Sequence, residues 1–336
     1  MVTKSKQVQV LLLSCMLGIF NFVQAQIDEQ APAEKTRKEQ RAEKNKENWQ
    51  KFKEKVSLNG WVDFQYTYNY QELNDGQNNQ SNVFQIRRAR LDVKGNLSPT
   101  ISFRLQGDLA NTPKLIDAFA KVKFCKYIAL QAGQFKIPFS IENAYSPLNL
   151  EFADNAQVIT ALSGYSDVSG ISSYANGREI GVMISGTLAE FTRNEQTFPI
   201  LEYSIGVFGG NGINVKTDNM PKDVSGRLDF HPFLKDFVLS ASAYIGTYTM
   251  QNSDGRNGKR NRFAVGAEYK NKNLKNNNND FYQKDIEAKR NSIYYSAGVD
   301  WWPEKHLRFQ INYVLKQQQQ YNALGHSLVA MLSVKF

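Results

Sequence analysis

The 336-residue chain has two cysteines, three histidines and nine prolines. Two cysteines cannot build a disulfide framework. If Cys15 leaves with a leader, Cys125 stays as a single thiol, and stability must come from backbone pairing and packing. His231, His306 and His326 with one cysteine form no spaced metal-ligand set, and no cofactor is implied. There is no Walker loop, no HExxH and no GxSxG. Long apolar runs are also scarce. One stretch near the N-terminus could be a membrane helix, and mean hydropathy is −0.49, which excludes a multi-span helical membrane protein. A transmembrane barrel is not excluded, because its apolar residues sit at every second position and average away. Disorder is excluded by 21 Phe and 16 Tyr against a charged fraction of 22%.

The first 25 residues read as an export signal. Lys4 and Lys6 precede a largely apolar run from Val8 to Phe22, and Val23-Gln24-Ala25 has the small-residue pattern of a cleavage site. Cleavage after Ala25 is expected. A rival is a lipoprotein signal at Leu12-Leu13-Ser14-Cys15, with an apolar core of only about seven residues before Cys15. Residues 26–55 hold nine Lys/Arg and seven Asp/Glu. Glu39, Glu43 and Lys44 at about one helical turn suit a solvated helix, and apolar residues are too sparse for a coiled-coil seam. A charged periplasmic spacer is the expected role; a trimerising or cell-wall-contacting stalk is the alternative.

From Val56 the period becomes two. Val56, Leu58, Gly60, Val62, Phe64, Tyr66, Tyr68 and Tyr70 alternate with Ser57, Asn59, Trp61, Asp63, Gln65, Thr67, Asn69 and Gln71. Such a strand is long for a sandwich and suits a tilted membrane strand with an aromatic rim. The pattern recurs to the last residue. The fold class is therefore all-β: a transmembrane antiparallel β-barrel over 56–336. About fourteen strands are expected, near 56–71, 82–97, 100–110, 115–124, 127–139, 178–189, 200–210, 224–232, 237–249, 261–270, 272–283, 291–302, 306–318 and 327–336. Sixteen would follow if the long loop 141–177 hid a hairpin. Longer polar links are read at 72–82, 141–177, 209–223, 250–261 and 275–291, with short turns between, the rim asymmetry of outer-membrane barrels. Trp301 and Trp302 precede a short turn, where an aromatic girdle belongs.

Alternation aims Arg88, Arg90, Lys94, Arg104, Lys121, Lys123, Arg227, Arg262 and Arg308 inward. Lys270 and Lys316 read inward too, mixed with Asp63, Asp92, Asp108, Asp117, Glu179, Glu202, Asp229, Glu268 and Asp300. Charged groups facing water inside a low-dielectric wall focus a field on passing ions, although about half are expected to brace the wall as pairs. Lys136 is ambiguous. Strict alternation from Ile128 points it at lipid; a bulge near Gly133 turns it inward, and the cost of charge in lipid favours the bulge.

The segment Phe84-Gln85-Ile86-Arg87-Arg88-Ala89-Arg90-Leu91 with Gly95 resembles the second strand of the phosphate-selective porin O and P family. Phe103 to Asp108, Gly133 to Phe139, and Arg178-Glu179-Ile180-Gly181-Val182 are similar to further family motifs, in the same order. The clear matches span 84–189. The resemblance implies an outer-membrane diffusion channel, commonly trimeric, with the long loop folded in as a constriction. Arg178 is a pore-lining candidate with the other basic residues. Partners would be outer-membrane lipid, lipopolysaccharide and small hydrophilic solutes or anions such as phosphate.

The loop departs from a purely basic lumen. It has no Lys or Arg, but carries Glu142, Glu151, Asp154 and Asp167. Acidic groups at a constriction weaken the case for phosphate and suit polar or zwitterionic solutes. The same side chains could face calcium, lipopolysaccharide or solvent. A membrane hydrolase would need a Ser–His pair, and no histidine sits beside an obvious serine, so no enzyme is expected. A structural or adhesion barrel shares the architectural signals. Nucleic acid is not an expected partner: the net charge of +9 includes +2 from 1–25 and +2 from 26–55, leaving +5 on the barrel with no basic stripe.

Overall fold

Two-residue periodicity requires that every second side chain share a face, and the chain obeys this through a continuous antiparallel ladder. The computed structural model describes residues 41, 43–47, 49, 50, 53, 55–72, 77–163, 177–193, 195–216, 222–232, 237–249, 257–269, 279–281, 285–289, 292–318 and 323–336. Residues 1–54 and 55–336 form separate units. The described residues of the first, between 41 and 53, are helical.

The second unit begins with β1 (Val56–Glu72), β2 (Asn78–Asn96), β3 (Ile101–Asp108), β4 (Lys114–Lys123) and β5 (Ala129–Lys136). A long excursion then carries two short helices, α1 (Ile141–Ala144) and α2 (Gln157–Leu162), with a 3-10 turn at Pro147–Asn149 between them. Next come β6 (Arg178–Arg193), β7 (Gln196–Phe208), β8 (Asp223–Phe230), β9 (Phe237–Ile245), β10 (Thr247–Thr249), β11 (Asn257–Lys259) and β12 (Arg262–Tyr269). The chain ends with β13 (Asn279–Phe281), β14 (Asp285–Lys289), β15 (Ser292–Glu304), β16 (Leu307–Gln318) and β17 (Ala323–Lys335).

Neighbours in sequence are neighbours in the sheet from β1 to β9. β12 pairs with β9, and β17 returns to pair with β1. Gly60 and Phe336 exchange two backbone bonds of 2.9 Å at that junction. β13 and β14 both pair with β15, so they form one interrupted wall position, giving fourteen in all. β10 and β11 make a separate hairpin. The up-and-down order satisfies the backbone within the wall, as a structure spanning lipid must.

The outer face is apolar and exposed. Leu58, Phe84, Phe124, Ile205, Phe263, Val265 and Ile311 belong to it, whereas Asp63, Arg90, Asp108, Asp117, Asp300 and Arg308 are buried on the inner face. This inverts the arrangement of a water-soluble protein and matches a lipid-facing wall. Trp301 faces outward and stacks on Phe309 at 5.4 Å. Trp302 turns inward, beneath Arg308.

Several boundaries differ from the sequence reading. The eleventh strand, read as 272–283, lies at 279–281 and 285–289, so the long link read at 275–291 contains strand instead. Of the asparagine run 276–279, only Asn279 is among the described residues, and it pairs with Trp301 of β15. Pairing with β1 from Glu72↔Asn78 also shortens the 72–82 link. The 250–261 link holds β11, and β17 begins at Ala323, so His326 lies inside the last strand, which was read as starting at 327. The described part of 141–177 is helical turns, so the sixteen-strand alternative finds no hairpin among the described residues.

Candidate functional site

Alternation sets which side chains face the lumen, and two local departures from it matter most. In β2 the register with β1 slips between Asp63 and Phe64: Asp63 faces Arg88, while Phe64 faces Ile86. Arg87 is the extra residue. This bulge puts two consecutive arginines to use, Arg88 to Asp63 at 3.0 Å and Arg87 to Asp154 at 2.8 Å. The reading from alternation missed Arg87; the doubled Arg87-Arg88 was the one signal available. In β5 both Gln131 and Gln134 are buried, three residues apart, so the side-chain phase reverses between them. The ladders to β4 and β6 keep register there. The reversal therefore comes from Gly133 at φ 128, not from the expected bulge. Lys136 ends up donating to the Tyr145 carbonyl.

The inner wall carries a chain of ion pairs. Arg90 meets Asp108 at 2.9 Å. Arg104 meets Asp92 at 2.8 Å and Asp117 at 3.3 Å. Lys94 shares Asp92 at 2.9 Å, and Arg178 shares Asp117 at 2.6 Å. Arg227 meets Asp229 at 2.9 Å, and Arg308 pairs with Asp300. Arg262 donates to the Leu162 carbonyl and lies over Tyr244. Lys121 and Lys123 form no ion pair among the described residues.

Exposure is asymmetric in the pairings of Lys94 and Arg104, and nearly even in Arg90–Asp108, Arg178–Asp117, Arg227–Asp229 and Arg308–Asp300. The Lys94 side chain is 50% exposed and its partner Asp92 only 3%. Arg104 is 24% exposed, while its partner Asp117 is 2%. Water beside Lys94 and Arg104 therefore meets the bases, with Asp92 and Asp117 behind them.

The excursion between β5 and β6 is held against the inner wall at many points. Its base is closed by Asn143, which donates to the carbonyls of Ile137 and Gly177, both at 3.1 Å. Ser140 accepts from Asn143 N and so caps α1. On β16, Arg308 donates to the carbonyls of Leu148 and Leu150, Gln310 to that of Glu151, and Asn312 accepts from Ala153 N. Ala153 also packs with Val329 and Met331 of β17. On the opposite side, Arg227 of β8 donates to Ser140 O at 3.0 Å, and Tyr145 donates its hydroxyl proton to Glu268 of β12. Partners on β1, β2, β5, β8, β9, β12 and β16 can surround the segment only if it crosses the interior. An apolar cluster of Phe135, Ile137, Phe139, Phe208 and Tyr244 fills part of the lumen beside it.

Of the acidic loop residues, Asp154 is tied to Arg87 and accepts from Gln65 at 3.5 Å. Burial opposes its ionisation. Arg87 and Arg88, with those hydrogen bonds, outweigh burial and hold the carboxyl below its ordinary value. Glu142 accepts from Ala156 N at 2.7 Å, and the Glu151 side chain is exposed. Asp167 lies outside the described residues, as do Lys270, the 1–25 segment and Cys15.

A lipid-facing wall, charged groups inside and a loop laid across the interior define a porin. Residues 55–285 match the model of the family described as phosphate-selective porin O and P, and the chain belongs to that family. No curated protein sequence matches. Among solved structures, the chain is similar to an anion-selective porin from Comamonas acidovorans: 11% identity, TM-score 0.50, covering 84% of this chain and 99% of that one. It is also similar to Pseudomonas putida OprB: 8% identity, TM-score 0.57, covering 87% and 97%. These likenesses concern the fold. The protein is an outer-membrane porin, a channel for passive diffusion of small solutes, and its family and fold are those of a channel, not an enzyme.

Proposed function

We propose that the channel favours small hydrophilic anions, phosphate-sized ones included. The observation that carries this is the exposure asymmetry at Lys94–Asp92 and Arg104–Asp117. Paired charges cancel at long range, but an ion passing within a few ångströms meets the nearer member first. In a lumen with low-dielectric walls that difference is amplified. Arg88, Arg90, Lys121, Lys123, Lys136, Arg178, Arg227, Arg262 and Arg308 form the rest of the basic lining, with most of their charge spent on bracing.

The segment 141–177 serves as the constriction, with Glu142, Glu151, Asp154 and Asp167 as its acidic contribution. Residues 1–25 act as the cleaved export signal and 26–55 as a charged periplasmic spacer. The working form is a homotrimer among lipid and lipopolysaccharide.

The deciding measurement is the reversal potential of purified protein in a planar bilayer under a KCl gradient. An anion-selective potential is expected. A cation-selective one overturns the proposal, and a silent bilayer with a folded barrel favours a structural role. Lys94→Gln with Arg104→Gln should shift the potential toward cations; an unchanged value would assign both to bracing.

A further inference from the structure

The outer wall around the β1–β17 junction is a carpet of large side chains with one gap. Across the sheet, one row of outward residues runs Phe84, Tyr66, Ala330 and Ile311, and the next runs Ile86, Phe64, Leu332 and Phe309. Ala330 is the one small side chain in those two rows. The gap it leaves opens a groove of about 550 Å³ on the outer face. Its surface is almost wholly apolar. Gln65 and Gln310 border it too, but their amides turn inward, to Asp154 and the Glu151 carbonyl, and Gln85 is bonded to Gln65. Along the strands, a polar cluster shares the outer face with this groove. Four residues from Ala330 in β17, about 13 Å at the rise of a strand, His326 stands opposite Tyr70, with ring centres 5.8 Å apart. The Tyr313 hydroxyl, on β16, hydrogen-bonds His326 Nδ1. A neutral ring accepting at Nδ1 carries its proton on Nε2. Among the described residues, neither that Nε2 nor the Tyr70 hydroxyl has a hydrogen-bond partner. The cluster lies toward the rim that carries the link 319–322.

We propose that this groove binds one membrane lipid with a phosphate head. An acyl chain fills the gap over Ala330, and the phosphate accepts hydrogen bonds from His326 Nε2 and the Tyr70 hydroxyl at the rim. A chain lying on a plain part of the wall touches protein on one side only. In the gap it is flanked by Tyr66, Ile311, Phe64 and Leu332 as well, and such contacts, each small, add up. The competing occupant is a side chain from a second copy. The polar cluster favours the lipid: an amphiphile needs an apolar trough with donors a short way along it, whereas a side chain filling the gap makes no use of His326. The spacing of about 13 Å, four residues at strand rise, suits a chain buried over most of its length with its head at the water boundary. The inference is independent of what passes through the lumen.

The test is native mass spectrometry of the detergent-purified protein, titrated with phosphatidylglycerol and with diacylglycerol of the same chains. One phosphatidylglycerol per chain should be retained, about tenfold more tightly than diacylglycerol, as expected for hydrogen bonds to a charged group. Ala330→Phe fills the gap and should weaken retention of both lipids about tenfold, the equivalent of roughly two buried methylenes. Val265→Phe, at a highly exposed outward position on β12, should change nothing. His326→Phe should weaken phosphatidylglycerol and leave diacylglycerol as it was. All three substitutions face outward, and persistent KCl conductance shows that each barrel is folded. Equal retention by the unaltered protein and Ala330→Phe, or equal retention of the two lipids, overturns the proposal. So does an Ala330→Phe protein whose oligomers dissociate while its lipid adducts persist, because the groove then belongs to a second copy.

Discussion

Arg308 shows how one side chain couples the wall to the loop. It is buried, pairs with Asp300, and donates to the carbonyls of Leu148 and Leu150. Arg308→Ala would remove the guanidinium paired with a buried carboxylate and the donor to two carbonyls. A loss of about 3–5 kcal/mol is expected, read as a lower urea midpoint for the barrel in lipid vesicles. Arg308→Lys should lose less, because it keeps the charge but not the forked geometry. Asp154 gives the pH dependence. A carboxyl held below its ordinary value of 3.8 contributes stability above that value and loses it as pH falls through the folded value. Protonation of Asp154 should therefore loosen the loop only below 3.8, read as a change in single-channel conductance in that range that Arg87→Gln moves to higher pH.

At the scale of elements, β5 does more than fill a wall position. Its glycine at φ 128 reverses the side-chain phase, so that Lys136 reaches the loop. A Cβ on Gly133 would stand 2.2 Å from the Ala118 carbonyl oxygen. Gly133→Ala should cost roughly 1–3 kcal/mol from backbone strain alone, with the clash adding to it. The expected readout is a weakened heat-modifiable band in semi-native gels, with slowed folding into vesicles. The inward face of β5 was only half legible beforehand. The need for an inward Lys136 was plain from the cost of charge in lipid, yet the device was read as a bulge. Both solutions reverse the phase, and a residue string does not distinguish an extra residue in the ladder from a glycine in an unusual conformation. In β2 the reverse happened: a true bulge at Arg87 passed unnoticed, because Arg88 and Arg90 already satisfied alternation.

Across the whole molecule, the balance of charge matters less than its layering. Formal counts leave +5 on the barrel, and the described pairs put Asp92 and Asp117 behind Lys94 and Arg104. A preference arising from layered charge should be screened. Raising salt from about 0.1 M to about 1 M shortens the Debye length from roughly 10 Å to roughly 3 Å, so anion preference should fall steeply over that range in reversal-potential measurements. A preference independent of salt would point to steric selection by the loop instead. The strand pattern, the wall count and the inward direction of most charged residues followed from the sequence alone, because alternation is a property of each strand by itself and lipid permits only one face to be charged. Which charges are spent on one another, where the loop lies, and that Arg87 and Lys136 both serve it were decided only by tertiary structure. Those facts depend on residues far apart in the chain, such as Asp154 beside Arg87 and Leu150 beside Arg308, and only the inward course of the loop between β5 and β6 brings such pairs within reach.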